Sequence, residues 1–340
     1  MASEFELIYQ YFSDLGRCAQ DKADWIVAGV GDDCAIIAST PGYDWLHSVD
    51  TLVQGIHFPE AISPESLAQR ALAVNLSDLA AMGAEPVAFT LALTLPGCDE
   101  GWLRQFARGL QNTSAEYGIR LIGGDTTRGP LSITISVMGV VPSGRAVRRN
   151  GAKPGDWVCV SGHLGDAQAG LELLQSNRLA KRKDERYLLD RFHQPSPRLS
   201  LGRKLREFAS AAIDISDGVV ADLGHICRQS ECVAELWADA VPLSQPYTKY
   251  CAAQGYSSLD RLTRALTHGD DYELCFTISA DAWRLCTSGA DKLWLSEEGL
   301  PVTIIGKILA PEPSGTGVLV RVLDENDANL SLSSSGYQHF

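Results

Sequence analysis

The chain has 340 residues, enough for about two domains of ordinary size. Its residues are 45% hydrophobic, as in a globular core, and its formal net charge of −13 argues against nucleic acid as a partner, because a phosphate backbone needs a basic surface. The sequence shows no leader pattern, no apolar run that could span a bilayer and no C-x-x-C pair among nine cysteines. We therefore expect a cytoplasmic protein with reduced thiols and no membrane partner.

The first half of the sequence predicts alternating helices and strands. Residues 5–15 have an amphipathic helical pattern, and residues 45–53 form a strand with Asp50 near its end. Ser63 and Pro64 are typical of a helix start, as cap and first helical residue, and this helix should run to about residue 82. The other elements predicted here are a strand at 88–95, a helix at 99–117, a strand at 119–122 and an alternating strand at 131–141.

The second half follows a glycine-rich segment, residues 144–155, that we interpret as the domain junction. A strand at 157–160, a glycine loop at 161–165 and a helix from Asp166 form an arrangement that can hold an anion at the helix N-terminus. The basic stretch 181–191 also contains acidic residues and is interpreted as a solvated helix face. The remaining elements predicted are helices at 198–209 and 218–229, a strand ending at Asp214, and strands at 272–278 and 302–308. The expected class is therefore mixed α/β or α+β, with domains 1–147 and 148–340.

Four short segments place aspartates next to apolar residues, where a hydrophobic surface meets a loop. They are residues 30–33, 75–78, 123–127 and 214–218. Two carboxylates about 4 Å apart repel each other by roughly 4 kcal/mol at an effective dielectric constant near 20, and a hard cation removes that cost. Mg²⁺ prefers such oxygen ligands and usually carries phosphates. The pattern therefore predicts a magnesium–nucleotide or magnesium–diphosphate site.

Asp78 is the strongest single candidate because it lies in mid-helix between Leu76 and Leu79. A buried carboxylate must be paired, protonated or bound to metal, so an ion pair with Arg70 is the structural alternative. The other segments have structural alternatives as well, namely a polar turn at 32–33, a glycine turn at 123–127 and a helix cap at 216–217.

Other nucleotide chemistries are excluded by the motifs that the chain lacks. It has no G-x-x-x-x-G-K-[ST] loop, no His-Arg-Asp and Asp-Phe-Gly pair, and no nucleophile elbow. The sequence thus favours metal-assisted phosphoryl transfer, in which positioning and charge neutralisation provide the catalysis and no residue acts as a covalent nucleophile.

In chain order, the acidic segments and their neighbours resemble the thiamine-monophosphate kinase family over nearly the whole chain. The segments that carry the resemblance are residues 31–35, 50–53 with 57–58, 75–84, 123–127, 151–156, 213–218 and 271–274. The resemblance implies a two-domain fold like that of aminoimidazole ribonucleotide synthetase, with a mixed N-terminal sheet that forms a homodimer interface. It also implies ATP-dependent phosphorylation of thiamine monophosphate to thiamine diphosphate with several Mg²⁺ ions.

The same resemblance implies roles for individual residues. The implied metal positions are Asp33, Ser48, Val49, Asp50, Asp78, Asp125, Asp214 and Asp217. The implied nucleotide positions are Gly124, Asp125, Arg149 and Ser216, and the implied substrate positions are His57, Asp270 and Tyr337. Two positions depart from the family pattern: Asp270 stands where Glu is usual, and Val49 stands where Thr is common, so a contact at Val49 can involve only its backbone.

Three alternatives remain. Another enzyme of the superfamily, such as selenophosphate synthetase, is expected to need a reactive cysteine or selenocysteine and a lysine in a glycine-rich N-terminal segment, and this chain has neither arrangement. A magnesium-dependent diphosphate hydrolase would use the same carboxylates with a base that activates water. A metal or nucleotide sensor would keep the ligand motifs without turnover.

Overall fold

The computed structural model describes residues 11, 26–28, 36–176, 180, 182–287, 299–311, 319–332 and 336–337. Two compact units divide the chain. The first unit comprises Met1–Leu79 and Ala84–Arg145, and the second comprises Ala80–Gly83 and Ala146–Phe340. The helix expected at residues 5–15 lies outside the described residues.

The described elements through residue 145 are two helices and six strands. They are β1 (Ile26–Ala28), β2 (Ile36–Ile37), β3 (Tyr43–Val53), α1 (Pro64–Ala81), β4 (Glu85–Leu95), α2 (Glu100–Tyr117), β5 (Arg120–Arg128) and β6 (Ser132–Pro142). Strands β1 and β2 form a small antiparallel pair. The other four strands form one sheet in the order β3-β6-β4-β5, in which only β4 and β5 run parallel.

The sheet of the first unit has one buried and one open face. Along β6, Ile133, Ile135 and Val137 are fully buried, while Thr134 and Ser136 between them are half-buried. This alternation follows from the period of two in a strand, and it confirms the strand predicted at 131–141. Along β6, the open face carries hydroxyl groups between the buried aliphatic side chains.

Helix α1 begins and ends where the sequence predicts. The Ser63 hydroxyl accepts a hydrogen bond from the Ser66 N–H at 3.1 Å, and Pro64 occupies the first helical position. At the other end, Gly83 adopts a left-handed conformation with φ 71°, a turn that glycine makes without steric cost. Both signals are local, which explains why the sequence alone was sufficient to find them.

The second unit is built around a six-stranded sheet in the order β12-β9-β11-β7-β10-β8. The described elements are β7 (Trp157–Ser161), α3 (Asp166–Gln175), α4 (Lys183–His193), α5 (Leu199–Leu205), β8 (Ala209–Asp214), α6 (Val219–Gln229), β9 (Val233–Trp237), α7 (Gln245–Gln254), α8 (Ser258–Thr267), β10 (Leu274–Ile278), α9 (Ala280–Thr287), β11 (Val302–Leu309) and β12 (Val320–Leu323). Strands β7, β8, β9, β10 and β11 pair antiparallel, whereas β12 runs parallel to β9. The mixed α/β class is therefore confirmed.

Some boundaries differ from the sequence-based predictions. The strand predicted at 119–122 continues through the glycines to Arg128, because β4 supplies a parallel hydrogen-bonding partner along its whole length. The helix predicted at 198–209 ends at Leu205. Elements β9, α7, α8, α9 and β12 were not predicted. In the described part of the chain, no helix combines the length and apolar content that crossing a membrane requires.

Candidate functional site

In the first unit, the predicted acidic residues of β3 and α1 face each other. The Ser48 hydroxyl donates a hydrogen bond to Oδ2 of Asp78 at 2.5 Å. The backbone N–H of Asp50 donates to Oδ1 of Asn75 at 3.0 Å, and the amide group of Asn75 in turn donates to the Ala71 carbonyl. Asn75 and Asp78 are three residues apart on α1, so they present their side chains on one helix face, as the spacing predicts.

The electrostatics of this group suit a cation. Burial and the nearby charge of Asp78 together raise the pKa of Asp50 to about 6. Two carboxylates and a hydroxyl therefore converge in a partly desolvated position where their negative charge is costly. Because all of these are hard oxygen donors, they fit Mg²⁺ in chemical type.

Val49 contributes to this group differently from its neighbours. Its side chain is 54% exposed, between the half-buried Ser48 and Asp50. Successive side chains of a strand point to opposite faces, so the Val49 side chain lies on the other face of the sheet from Ser48 and Asp50. Only its backbone could contribute to a ligand, as the sequence suggested.

Asp125 lies on the opposite edge of the same sheet. It belongs to β5, and strands β6 and β4 lie between that strand and β3, so the two edges are about 14 Å apart along the sheet at roughly 4.8 Å per strand. A single chain therefore does not bring Asp125 beside Asp50. Gly124 has a packing reason to be glycine, because a Cβ there would lie 1.9 Å from the Leu91 carbonyl oxygen.

His57 lies in the turn that follows β3. Its Nδ1 accepts a hydrogen bond from the Val53 N–H at 3.0 Å. In the neutral ring, that bond leaves the proton on Nε2. Asp33, the remaining acidic residue predicted in this unit, lies outside the described residues.

In the second unit, the acidic turn at 214–218 joins β8 to α6. Asp214 ends the strand and is 4% exposed, while Ser216 and Asp217 are half-buried. The backbone N–H groups of Ser216, Asp217 and Gly218 all donate to Oδ2 of Asp222, each at 3.1 Å. The turn is therefore tied to the first residues of the helix that it opens.

Asp222 was not singled out by the sequence, although its carboxylate accepts three backbone hydrogen bonds from the turn. Burial and the charge of Asp217 raise its pKa to about 7, against the opposing effect of the three N–H donors. An aspartate in the first turn of an amphipathic helix gives no sequence signal beyond a favourable dipole interaction. Its partners, the three backbone N–H groups, can be recognised only from the geometry of the turn.

Two of the residues that the resemblance links to substrate, Asp270 and Tyr337, lie against this turn. The Asp270 N–H donates to the Ser216 carbonyl at 3.0 Å, and the Tyr337 N–H donates to the Asp217 carbonyl at 3.0 Å. Asp270 has a left-handed backbone with φ 71°, a conformation that aspartate tolerates better than most residues. The structure thus brings together Ser216, Asp217, Asp270 and Tyr337 from three separate parts of the sequence.

Arg149 adds positive charge near the same turn. Its side chain is exposed, and its carbonyl accepts a hydrogen bond from the Ser230 hydroxyl at 3.3 Å. Burial lowers the pKa of His225, the charge of Arg149 lowers it further, and Asp217 opposes both effects. Arg149, His225 and Asp217 are therefore electrostatic neighbours in the second unit.

A buried ionic network supports the segment that contains Asp270. Glu273 is 1% exposed and accepts hydrogen bonds from Arg191 at 2.8 Å, Arg198 at 2.7 Å and the Ser161 hydroxyl at 2.6 Å. Burial alone would raise the pKa of Glu273, but the two arginines and the hydroxyl outweigh it and lower that pKa. The prediction that residues 181–191 form only a solvated face is therefore wrong for Arg191, whose side chain turns inward.

The helix N-terminus that follows the glycine loop at 161–165 is filled by a carboxyl group of the chain itself. The Asp271 carboxylate is fully buried and accepts hydrogen bonds from the Gly165 N–H at 2.7 Å and the Ala167 N–H at 3.3 Å. Burial and the adjacent Asp166 raise the pKa of Asp271 well above its usual value. The N-terminus of α3 therefore serves an internal carboxylate.

The described residues do not by themselves complete a metal centre. Among them, no group of three or more His, Cys, Asp or Glu side chains lies close enough together to hold a metal ion.

Comparison with known proteins matches most of the first unit to a known domain family. Residues 31–141 match the family described as AIR synthase related protein, N-terminal domain. That range contains the sheet of the first unit and both of its described helices, together with the Asp50 and Asp78 group. Most of the first unit therefore matches an AIR synthase-related N-terminal domain.

Relatives over the full length narrow the class to one family. The chain is 44% identical to thiamine-monophosphate kinase of Escherichia coli strain K12 over 338 residues, which is 99% of this chain and 98% of the relative. The crystal structure of thiamine-monophosphate kinase from Stenotrophomonas maltophilia K279a matches with a TM-score of 0.79 and 41% identity, covering 88% of this chain and 92% of that one. A structure described as AaThiL complexed with AMPPCP and TMP matches with a TM-score of 0.77 and 29% identity, covering 89% of each chain. The chain belongs to the thiamine-monophosphate kinase family.

Proposed function

We propose that this protein transfers the γ-phosphoryl group of ATP to thiamine monophosphate and so makes thiamine diphosphate, the last step in forming that cofactor. The observation that carries the proposal is 44% identity to a thiamine-monophosphate kinase over 99% of the chain. The structural relative with AMPPCP, an ATP analogue, and TMP bound supports the same pair of substrates. No further chemistry is needed to account for the acidic segments.

The proposed metal ligands are oxygen donors. They are Asp33, Ser48, the Val49 backbone, Asp50, Asp78, Asp125, Asp214 and Asp217. The supporting observation is the raised pKa of Asp50 beside Asp78, since a divalent cation would relieve that repulsion. Several Mg²⁺ ions, when bound, supply positive charge that screens the two phosphate groups from each other.

The proposed transfer is a direct in-line displacement. A phosphate oxygen of thiamine monophosphate forms a bond to the γ-phosphorus of ATP, the bond from that phosphorus to the β–γ bridging oxygen breaks, and ADP leaves with the electron pair. The acceptor oxygen is already anionic near neutral pH, so no general base is required. The chain's contribution is to orient the reactants and to stabilise charge.

We assign the orienting roles as follows. Gly124, Asp125, Arg149 and Ser216 hold the nucleotide, and His57, Asp270 and Tyr337 hold thiamine monophosphate. The backbone hydrogen bond between Asp270 and Ser216 supports this assignment, because it makes the position of one ligand-binding segment depend on the other.

We also propose that the protein is a homodimer formed through the sheets of the first unit. Strands β3 and β5 are the edges of that sheet, and each pairs on one side only among the described residues. Unpaired edges favour pairing with another chain, and in a homodimer that chain is a second copy of the protein.

We also propose a cytoplasmic location. The seven cysteines of the described residues are all free thiols, which supports a reducing compartment.

Product analysis tests the proposed function. The protein is incubated with Mg-ATP and either thiamine monophosphate, thiamine or no acceptor, and the products are separated by chromatography. We expect thiamine diphosphate and ADP with thiamine monophosphate only. Rapid phosphate release without an acceptor would instead indicate a hydrolase, and binding of Mg-ATP without turnover of any acceptor would indicate a sensor; either result would overturn the proposal.

A further inference from the structure

The turn between β8 and α6 is where a backbone anion site would be expected in the second unit. It follows a strand, contains Gly218 and opens a helix, so N–H groups without partners in the helix gather at its N-terminus. Such groups commonly bind phosphate directly. In this turn, they belong to Ser216, Asp217 and Gly218.

These N–H groups are already used inside the chain. All three donate to the same atom, Oδ2 of Asp222, at 3.1 Å. Asp222 is 2% exposed, and its own N–H donates to the Gly218 carbonyl at 3.0 Å, so its carboxylate is held within the first turn of α6. A phosphate could reach these donors only by displacing a buried carboxylate.

The carbonyl groups of the same turn are occupied from the other side. The Ser216 carbonyl accepts from the Asp270 N–H and the Asp217 carbonyl accepts from the Tyr337 N–H, both at 3.0 Å. Contact between this turn and a ligand therefore falls to its side-chain oxygens, those of Asp214, Ser216 and Asp217. Those oxygens suit a cation better than they suit a phosphate group.

The second unit uses the same device at another helix. At the N-terminus of α3, the N–H groups of Gly165 and Ala167 are taken by the buried carboxylate of Asp271. Two helix N-termini that each follow a strand and a glycine-containing turn are thus both filled by internal carboxylates. Filling these ends leaves the unit without backbone anion sites at either position.

We propose that Asp222 is a positioning residue that fills the N-terminus of α6, so that the turn at 214–218 meets the nucleotide through a bound cation and not through its own N–H groups. The proposal rests on the proposed function, since it assigns a role within that reaction. By fixing the backbone of the turn, Asp222 also fixes the carbonyls that hold Asp270 and Tyr337.

The first test uses hydrogen exchange and does not depend on activity. In the free wild-type protein, we expect the N–H groups of residues 216–218 to be protected from exchange. Asp222→Asn keeps the accepting oxygen and should retain this protection, whereas Asp222→Ala should lose it. Unprotected exchange of these groups in the free wild-type protein would overturn the proposal.

The second test separates positioning from direct metal binding. Asp222→Ala should raise the KM for ATP about tenfold or more at fixed Mg²⁺, while Asp222→Asn should stay within about threefold of the wild type. Asp99→Ala is the matched control, because Asp99 accepts two N–H groups at the start of α2 with one oxygen and lies outside the proposed site. Its KM for ATP should not change.

Two kinetic outcomes would overturn the role of Asp222. If the KM for ATP rises as much in Asp222→Asn as in Asp222→Ala, the negative charge itself is needed, as in a metal ligand. Unchanged KM values in Asp222→Ala with only a lower Tm would mean a purely structural role.

If Asp222→Ala does not fold, the kinetics of Asp222→Asn and the hydrogen exchange of the wild type still test the role of Asp222. If the wild type does not phosphorylate thiamine monophosphate, the proposed function fails, and calorimetric binding of Mg-AMPPCP to the same variants still tests Asp222.

Discussion

The N–H of Asp270 lies 3.0 Å from the carbonyl oxygen of Ser216 and donates a hydrogen bond to it. The two residues are far apart in sequence, and the resemblance assigns one to thiamine monophosphate and the other to the nucleotide. Because the bond joins two backbones, a shift of either segment moves the other. Correct relative placement of donor and acceptor phosphates is the main source of catalysis in such a reaction, so this contact is a direct target for testing.

Gly269→Ala should separate these two segments. A Cβ at this position would lie 1.6 Å from the Ser216 carbonyl oxygen, which is backbone and cannot swing aside. We expect a loss of about 1–3 kcal/mol in the free energy of unfolding, as for other overpacked sites, and higher KM values for both substrates. Urea denaturation and steady-state kinetics measure the two effects.

The matched control for Gly269→Ala is Gly224→Ala in α6. Nothing lies within 4 Å of a Cβ built at Gly224, so this change should be tolerated and should stabilise the helix by up to about 1 kcal/mol. If Gly269→Ala is as stable and active as Gly224→Ala, the close contact at Ser216 affects neither stability nor substrate binding.

Glu273→Gln should strongly destabilise the second unit at neutral pH. It removes the charge that pairs with Arg191 and Arg198 in a buried position, and breaking a buried pair from one side costs about 3–5 kcal/mol. Asp281→Asn is the control, because the pair of Asp281 with Arg284 is exposed and should contribute less than about 1 kcal/mol.

The effect of Glu273→Gln should also depend on pH. The pKa of Glu273 is lowered in the folded protein, so its charge stabilises the fold above the pKa of the unfolded state, about 4.3, and that stabilisation is lost as the pH falls through the lower folded value. The gap in unfolding free energy between wild type and variant should therefore shrink as the pH drops below about 4. A gap that is constant over this pH range would show that packing, not charge, causes the loss.

Local signals made a large part of this structure predictable. Ser63 and Pro64 set the start of α1, and the three-residue spacing of Asn75 and Asp78 set their common face. Asp78 was singled out because a carboxylate among apolar helix residues needs a partner, and the Ser48 hydroxyl donates a hydrogen bond to it. These features depend on residues within a few positions of one another, or on a charged side chain among apolar ones.

Non-local contacts were not predictable in this way. Asp222 and Glu273 look like ordinary polar residues of a helix and a strand, because their roles depend on N–H groups and arginines brought in by the fold. Asp125 shows the opposite case: its segment looked like part of one acidic cluster, but the order of strands puts it at the far edge of the sheet from Asp50. A sequence pattern predicts which segments form strands better than it predicts which strands are neighbours.

Asp78→Asn should leave the fold intact and weaken metal binding. The change removes one of two converging charges, so Mg²⁺ loses a ligand while the pKa of Asp50 falls. We expect the Mg²⁺ concentration for half-maximal activity to rise about 10- to 100-fold or more. Asp44→Asn is the control, since Asp44 accepts hydrogen bonds from Ser143 and Gly144 at an exposed turn of the same unit. Near-normal turnover of Asp78→Asn at low Mg²⁺ would contradict the ligand assignment.

Asp270→Asn should affect thiamine monophosphate more than ATP. Asparagine tolerates the left-handed backbone of this position, where φ is 71°, so the change removes the charge without the strain that alanine would add. A lost carboxylate hydrogen bond to a charged or polar group is worth about 1.5–3 kcal/mol, so the KM for thiamine monophosphate should rise about ten- to hundredfold. The KM for ATP should change little, because the Asp270 N–H still holds the Ser216 carbonyl.

The control for this last change is Asp327→Asn, at an exposed turn where φ is 59°. It makes the same substitution in the same backbone conformation, so it measures any general effect of the exchange on stability. If Asp270→Asn lowers Tm while both KM values match those of Asp327→Asn, Asp270 only shapes its turn and the substrate contact must come from another residue. If the KM for ATP rises as much as that for thiamine monophosphate, the side chain acts on the shared position of the two segments and not on one substrate.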